Sequence, residues 1–181
     1  MEYKIGAAGV FHKRDDFVQF YQQEFSNVPY CGETLETRGC GPTAMAMVLS
    51  NLSGKYIDPK EAAWTEAYSV IGVGTDWTYF SATTNHFNNT YDLGIKCTQT
   101  YDINQVVNAL RNGAMAISSQ RPGLFCEKGG HFITLARIDG NGGITVLDPV
   151  IGRAEGKGYN FRMFSAEEIN QGAKCYWIFE K

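Results

Sequence analysis

The chain lacks the features of several large classes of protein. None of its apolar stretches approaches the roughly 20 residues of a membrane-spanning helix. Basic residues are not in excess, since the formal net charge is −3 at pH 7. Binding to nucleic acid or to an anionic membrane normally requires clustered Lys and Arg. We therefore expect no membrane span and no nucleic-acid partner.

Cysteine and histidine are few and are not arranged as metal or disulfide motifs. The five cysteines include no CxxC pair, and the three histidines form no HExxH-type cluster. We therefore expect free thiols, no metal and no cofactor. Cys31 lies close to Cys40 in sequence, so a disulfide between them stays open as a way of silencing Cys40.

The order of the periodic segments predicts an α+β fold in one domain. No repeat, low-complexity tract or linker interrupts residues 1–181, although 1–19 remain open as an N-terminal extension. Helical patterns come first and strand patterns follow, with a turn at 139–143 typical of a hairpin. The predicted helices cover about 42–53, 58–68, 77–88, 103–112 and 166–170, and the predicted strands 114–118, 131–138, 144–148 and 173–179.

One cysteine has the surroundings of a nucleophile. Cys40 directly precedes Gly41 and Pro42, and an apolar segment follows, so Pro42 is suited to the first turn of a helix. The unpaired N–H groups and the positive dipole end at a helix N-terminus stabilise a thiolate. Gly39 and Gly41 are predicted to leave room for a substrate carbonyl at the sulfur. The alternative is that Cys40 simply packs in the core, as free cysteines often do.

A base and its orienting group follow on the predicted hairpin. His131 begins one strand, after Gly129 and Gly130, and Asp148 ends its partner. Folding the hairpin brings the two side chains within a few residues along the ladder. We expect Asp148 to accept the imidazole Nδ1–H, which leaves Nε2 for the thiol. Each residue alone is as readily structural, but the set with Cys40 favours a Cys-His-Asp triad.

Three segments together resemble a known family. They are Gly39–Met47, Gly129–Ile133 and Asp148–Pro149. The chain resembles the papain-like cysteine peptidases related to bacteriocin-processing (double-glycine leader) peptidases, and in particular their stand-alone bacterial and phage branch, from about Phe20 to the C-terminus. The resemblance implies a papain-like fold, with the nucleophile helix packed on a C-terminal antiparallel sheet.

The resemblance also implies roles for individual residues. Cys40 becomes the nucleophile, His131 the base and Asp148 the group that orients it. Gln22 matches the upstream glutamine that donates to the oxyanion, with the adjacent Gln23 as the alternative. Many relatives have Gly-Asp where this chain has Gln23-Glu24, so the local geometry of the oxyanion loop is expected to differ.

The expected activity is cysteine-dependent hydrolysis of a peptide or protein substrate. Cell-wall peptides are one substrate that the resemblance suggests. Because no transporter domain accompanies the predicted peptidase, we do not expect it to process leader peptides during export. Phe125 and Gly130, on the loop before the base, are predicted to border the substrate. Two alternatives stay open, a non-catalytic peptide-binding module and a transglutaminase-like acyltransferase. Since residues 1–10 do not resemble a secretory signal, we expect a cytoplasmic or phage-borne protein rather than a Sec-secreted one.

Overall fold

The structure is a computed structural model that describes residues 11–151 and 162–181. Its largest sheet has six antiparallel strands. Three separate two-stranded hairpins lie in the N-terminal half of the chain. The strands are β1 (His12–Arg14), β2 (Phe17–Gln19), β3 (Pro29–Tyr30), β4 (Glu33–Thr34), β5 (Ser69–Val70), β6 (Gly74–Thr75), β7 (Lys96–Thr100), β8 (Met115–Gln120), β9 (His131–Ile138), β10 (Ile144–Leu147), β11 (Met163–Phe164) and β12 (Ala173–Glu180).

Helices form before the sheet and on both of its faces. A 3₁₀ turn covers Gln22–Phe25. The α-helices are α1 (Leu35–Arg38), α2 (Cys40–Ser53), α3 (Pro59–Ala62), α4 (Tyr79–Tyr91), α5 (Ile103–Arg111) and α6 (Ala166–Gly172). The sheet order is β11-β10-β9-β8-β12-β7, with every neighbouring pair antiparallel. None of these helices has the length and apolar character needed to cross a membrane.

The central strand β9 shows how the sheet separates two cores. Side chains alternate between the two faces of a strand. Phe132 and Ala136 belong to the core that α2 and α4 cover, whereas Ile133 and Leu135 belong to the core that α5 and α6 cover. Burial on both faces accounts for the almost continuous apolar sequence of β9, and the strand predicted over 131–138 is confirmed.

The buried helix α2 is tied to the strands beside it. Every residue from Gly41 to Ser50 is buried. Thr134 on β9 donates its hydroxyl to the Ala44 carbonyl at 3.1 Å. Asn51 accepts the Val18 N–H at 2.8 Å and donates to the Val18 carbonyl at 3.0 Å. The Thr134 bond holds the N-terminal part of α2 against β9, and the Asn51 bonds hold its C-terminal end against β2.

The predicted α+β order is confirmed, but the helix predicted over 58–68 is wrong. Only α3, a single turn, forms there, with Asp58 as its N-cap. Beyond it, Trp64 stacks on His86 with ring centroids 3.9 Å apart. Glu66 accepts the Cys31 backbone N–H at 3.2 Å. These contacts with distant residues outweigh a local preference for helix.

A glycine substitution next to α2 tests how tightly the α1–α2 junction is packed. A Cβ on Gly39 would lie 2.3 Å from the Leu35 carbonyl oxygen and 2.7 Å from its Cα. Both are backbone atoms that cannot rotate away, so we expect Gly39→Ala to lower the free energy of unfolding by about 2 kcal/mol or more. Urea denaturation followed by circular dichroism measures this change.

Gly140→Ala is the matched control, because a Cβ there would meet nothing within 4 Å. We expect this variant to stay within about 0.5 kcal/mol of the wild type. Equal stability of the two variants would show that the α1–α2 junction has room for a Cβ at residue 39.

Candidate active site

The candidate nucleophile lies at the first residue of α2. Cys40 is half-buried, and Gly39 separates α2 from the short helix α1. Pro42 lies in the first turn, where its missing N–H costs no helical hydrogen bond. The sulfur therefore lies at the positive end of a 14-residue helix.

The two glycines beside Cys40 have a different role from the predicted one. They were expected to leave space for substrate, but neighbouring residues fill the space beside them. Leu35 packs against Gly39, and a Cβ on Gly41 would lie 2.3 Å from the Thr75 hydroxyl oxygen. Neither glycine is among the residues that line the cleft at Cys40. Gly39 is therefore a packing residue at the α1–α2 junction, and Gly41 is one at the contact between α2 and β6.

His131 and Asp148 form a buried pair at the start of β9 and the end of β10. The antiparallel register pairs Leu147 with Thr134, which places Asp148 beside the first residues of β9. Asp148 Oδ1 lies 2.8 Å from His131 Nε2, and the two side chains are 0% and 4% exposed. The Val150 N–H donates to the same carboxylate oxygen at 2.9 Å.

The ring nitrogens are used in the opposite sense from the prediction. We expected Asp148 to accept from Nδ1, but it lies against Nε2. His131 and Cys40 also share a side-chain hydrogen bond, which leaves Nδ1 as the ring nitrogen for the thiol. The choice depends on the orientation of the ring between Asp148 and Cys40, and sequence spacing does not contain that information.

Burial and charge act in opposite directions on both titrating groups. Burial alone raises the pKa of the Cys40 thiol, but the hydrogen bond and positive charge of His131 outweigh it and lower that pKa below its ordinary value. Backbone hydrogen bonds of Phe132 and Gly41 add to the lowering. Burial lowers the pKa of His131, but the charge and hydrogen bond of Asp148 outweigh it and raise that pKa to about 9. The geometry therefore favours a thiolate–imidazolium pair.

Gln22 lies beside this pair in the 3₁₀ turn. Its backbone N–H donates to the Pro149 carbonyl at 2.8 Å, which joins the turn to the residue after Asp148. Its side-chain Nε2 donates to the Glu36 carbonyl at 2.7 Å. An amide nitrogen carries two hydrogens, so one remains for a further acceptor, and Gln22 lines the cleft. Gln23 does not line the cleft, and its Oε1 accepts the Ile151 N–H at 3.3 Å.

A cleft of about 670 Å³ contains Cys40 and His131. Gly130 lines it, as predicted, but Phe125 does not. Phe125 is buried in the core on the α5 side of the sheet, with its ring 4.9 Å from that of Phe164. The described residues that line the cleft are Gln22, Thr37, Arg38, Cys40, Gly72, Val73, Gly74, Thr75, Trp77, Ser119, Lys128, Gly129, Gly130, His131, Phe132, Val150 and Lys174.

Gln19 is a supporting residue that the sequence analysis missed. Its side chain is buried at the end of β2, and its Nε2 donates to the Asp148 carbonyl at 2.9 Å and to the Phe20 carbonyl at 2.8 Å. It therefore fixes the backbone of the residue that holds His131. No local pattern distinguishes Gln19 from Gln22 or Gln23, and only the contact across 129 residues identifies it.

Cys31 is not bonded to Cys40. Cys31 and Cys40 are both free thiols. The Cys31 Sγ donates to the Val70 carbonyl at 2.8 Å.

Across residues 11–151 and 162–181, no group of three or more His, Cys, Asp or Glu side chains is placed to hold a metal ion.

Comparison with known proteins places the chain in a family. The profile of the Peptidase_C39-like family matches residues 15–176. The chain belongs to this family. Two solved structures share the α+β papain-like fold of this Peptidase_C39-like chain. A putative C39-like peptidase from Bacillus anthracis has a TM-score of 0.56 and 16% identity, over 90% of this chain and 94% of the other.

The second structure is the peptidase domain of Streptococcus ComA, described as a bi-functional ABC transporter involved in a quorum-sensing pathway. It has a TM-score of 0.53 and 16% identity, over 78% of this chain and 90% of that domain. At this identity the two structures establish the fold alone. A comparison with curated proteins gives no match.

The Cys40–His131 pair predicts how thiol alkylation depends on pH. Only the thiolate reacts with iodoacetamide, so a lowered Cys40 pKa gives rapid labelling below the free-thiol pKa of about 8.5. In His131→Ala the residue that lowers the Cys40 pKa is lost while the burial that raises it remains. We therefore expect the labelling profile to move to higher pH. Intact-mass spectrometry measures labelling, and Cys40→Ala identifies the Cys40 signal.

His86→Ala is the matched control, since His86 stacks on Trp64 outside the cleft. It should leave the labelling profile unchanged. The described geometry is wrong if His131→Ala and the wild type label with the same pH dependence.

Proposed function

We propose that this Peptidase_C39-like chain is a cysteine peptidase that hydrolyses peptide bonds through Cys40, His131 and Asp148. The observation that supports this most strongly is the buried Asp148–His131 pair beside a helix-terminal cysteine whose pKa is lowered. A protein that only binds peptides has no need for an activated thiol. A peptidase also needs a cleft in which the substrate can reach both reacting side chains, and Cys40 and His131 line such a cleft.

The proposed acylation step uses the charges already present in the pair. The Cys40 thiolate attacks the carbonyl carbon of the scissile bond, and the resulting oxyanion accepts hydrogen bonds from the Cys40 N–H and the Gln22 amide. The His131 imidazolium gives its proton to the leaving nitrogen as the C–N bond breaks. The amine product leaves, and the acyl group stays on Cys40 as a thioester.

The proposed deacylation step restores the resting enzyme. His131 takes a proton from a water molecule, whose oxygen attacks the thioester carbonyl. Collapse of the second tetrahedral intermediate breaks the C–S bond and releases the carboxylic acid. The proton that His131 keeps restores the imidazolium next to the Cys40 thiolate. Asp148 holds the ring through Nε2 in both steps and stabilises its positive charge.

Turnover of a peptide mixture tests the proposal directly. A library of short peptides and peptidoglycan-derived peptides is incubated with the wild type, and the products are identified by mass spectrometry. We expect cleavage that disappears in Cys40→Ala and His131→Ala. Parallel reactions with an added primary amine separate hydrolysis from acyl transfer, since transfer gives an amide product. Cleavage that survives in Cys40→Ala would contradict the proposed nucleophile.

A pair of adjacent glutamines tests the oxyanion assignment. Loss of one oxyanion donor typically costs about 100-fold or more in kcat. We therefore expect Gln22→Ala to lower kcat by about 100-fold with little change in KM, whereas Gln23→Ala stays within a few-fold of the wild type. Steady-state kinetics on one cleaved peptide measures both. The assignment fails if Gln23→Ala has the larger effect.

A further inference from the structure

The cleft is cationic although the chain carries a net charge of −3. Among the residues that the structure describes, the Lys and Arg side chains that line it are Arg38, Lys128 and Lys174, and no Asp or Glu lines it. Arg38 is paired with Glu33, its Nη2 lying 2.7 Å from a carboxylate oxygen. Within the described residues, neither Lys128 nor Lys174 has a carboxylate within ion-pair distance. Within residues 11–151 and 162–181, the cleft therefore offers two ammonium groups that no carboxylate neutralises.

Both lysines lie on the same side of the candidate base. The sheet register places Gln120 on β8 opposite His131 on β9, and Ala173 on β12 opposite Gln120. Lys174 therefore lies two strands from His131. Its Nζ lies 3.6 Å from the point that a Cβ on Gly130 would occupy. Lys128 comes just before Gly129 and Gly130, so both ammonium groups flank the approach to His131.

The wall on β6 and the preceding turn has a different character. Val73 lines the cleft from the β5–β6 hairpin with 73% of its surface exposed, and Trp77 lies a few residues further along. The uncharged residues Gly72, Gly74 and Thr75 complete this wall. Among the described lining residues, the positive charge thus lies on Arg38 and on the side of the cleft next to His131.

The direction of the proposed reaction relates this side to the substrate. His131 protonates the leaving nitrogen, so the residues after the scissile bond pass along the His131 side. We propose, on the basis of the proposed function, that Lys128 and Lys174 bind a carboxylate in the first few residues after the scissile bond. The substrates are then peptides whose leaving segment is acidic, either through a side chain or through its C-terminal carboxylate.

Four matched peptides separate the two sources of the carboxylate. They share one sequence and carry Glu or Gln at the second position after the intended scissile bond, each with a free or an amidated C-terminus. Binding to Cys40→Ala is measured as Kd, and turnover by the wild type as kcat/KM. We expect an acidic peptide to exceed the fully neutral one by about tenfold in both, and higher salt to reduce the difference. The peptide that shows the gain identifies the source.

Charge-reversal variants attribute the preference to the two lysines. We expect Lys174→Glu and Lys128→Glu to remove or invert it, with the fold retained because both side chains are exposed. Lys60→Glu makes the same charge change on α3, outside the cleft, and should leave it intact. Equal Kd and kcat/KM for acidic and neutral peptides, no binding of any peptide, or a preference that survives both reversals would overturn the inference.

The two proposals fail in different ways. Turnover without an acidic preference supports the peptidase and overturns the carboxylate site. An acidic preference in binding to Cys40→Ala, together with no turnover by the wild type, supports the carboxylate site and overturns the peptidase.

Discussion

The buried hydrogen bond between His131 Nε2 and Asp148 Oδ1 is the contact on which the candidate site depends. Burying a charged pair is costly unless both partners are well satisfied. Here the 2.8 Å bond is supported by the Val150 N–H on the same carboxylate oxygen and by Gln19 on the Asp148 carbonyl. The charge and hydrogen bond of Asp148 raise the pKa of His131 to about 9, and the other ring nitrogen is left for Cys40.

The fold supplies this contact by joining two separate parts of the chain. The β9–β10 hairpin brings His131 and Asp148 together, whereas Cys40 arrives about 90 residues earlier in sequence on α2. Thr134 links the two parts through its bond to the Ala44 carbonyl. Because α2 is buried along most of its length, it cannot shift without disturbing a packed core. The separation of thiol and imidazole is therefore set by core packing rather than by a loop.

Local motifs in the sequence predicted the chemistry but not its detailed geometry. A turn-and-proline signal places Cys40 at a helix N-terminus, and a hairpin signal places His131 near Asp148, because each depends on a few neighbouring residues. The ring nitrogen that faces Asp148, the packing role of Gly39 and the support from Gln19 depend on contacts between distant segments. Phe125 illustrates the same limit, since its loop approaches the base while its ring enters the opposite core.

The measurement that tests the account most directly is the pH titration of the His131 ring by NMR, with histidine labelled in its ring nitrogens. The chain has three histidines, so His131→Ala assigns the signal. The buried Asp148–His131 pair predicts that the imidazolium persists through neutral pH and loses its proton near pH 9. The pKa should fall in Asp148→Asn because the charge that raises it is gone. A His131 signal that titrates near its ordinary value of about 6.5, unchanged in Asp148→Asn, would contradict the proposed thiolate–imidazolium pair.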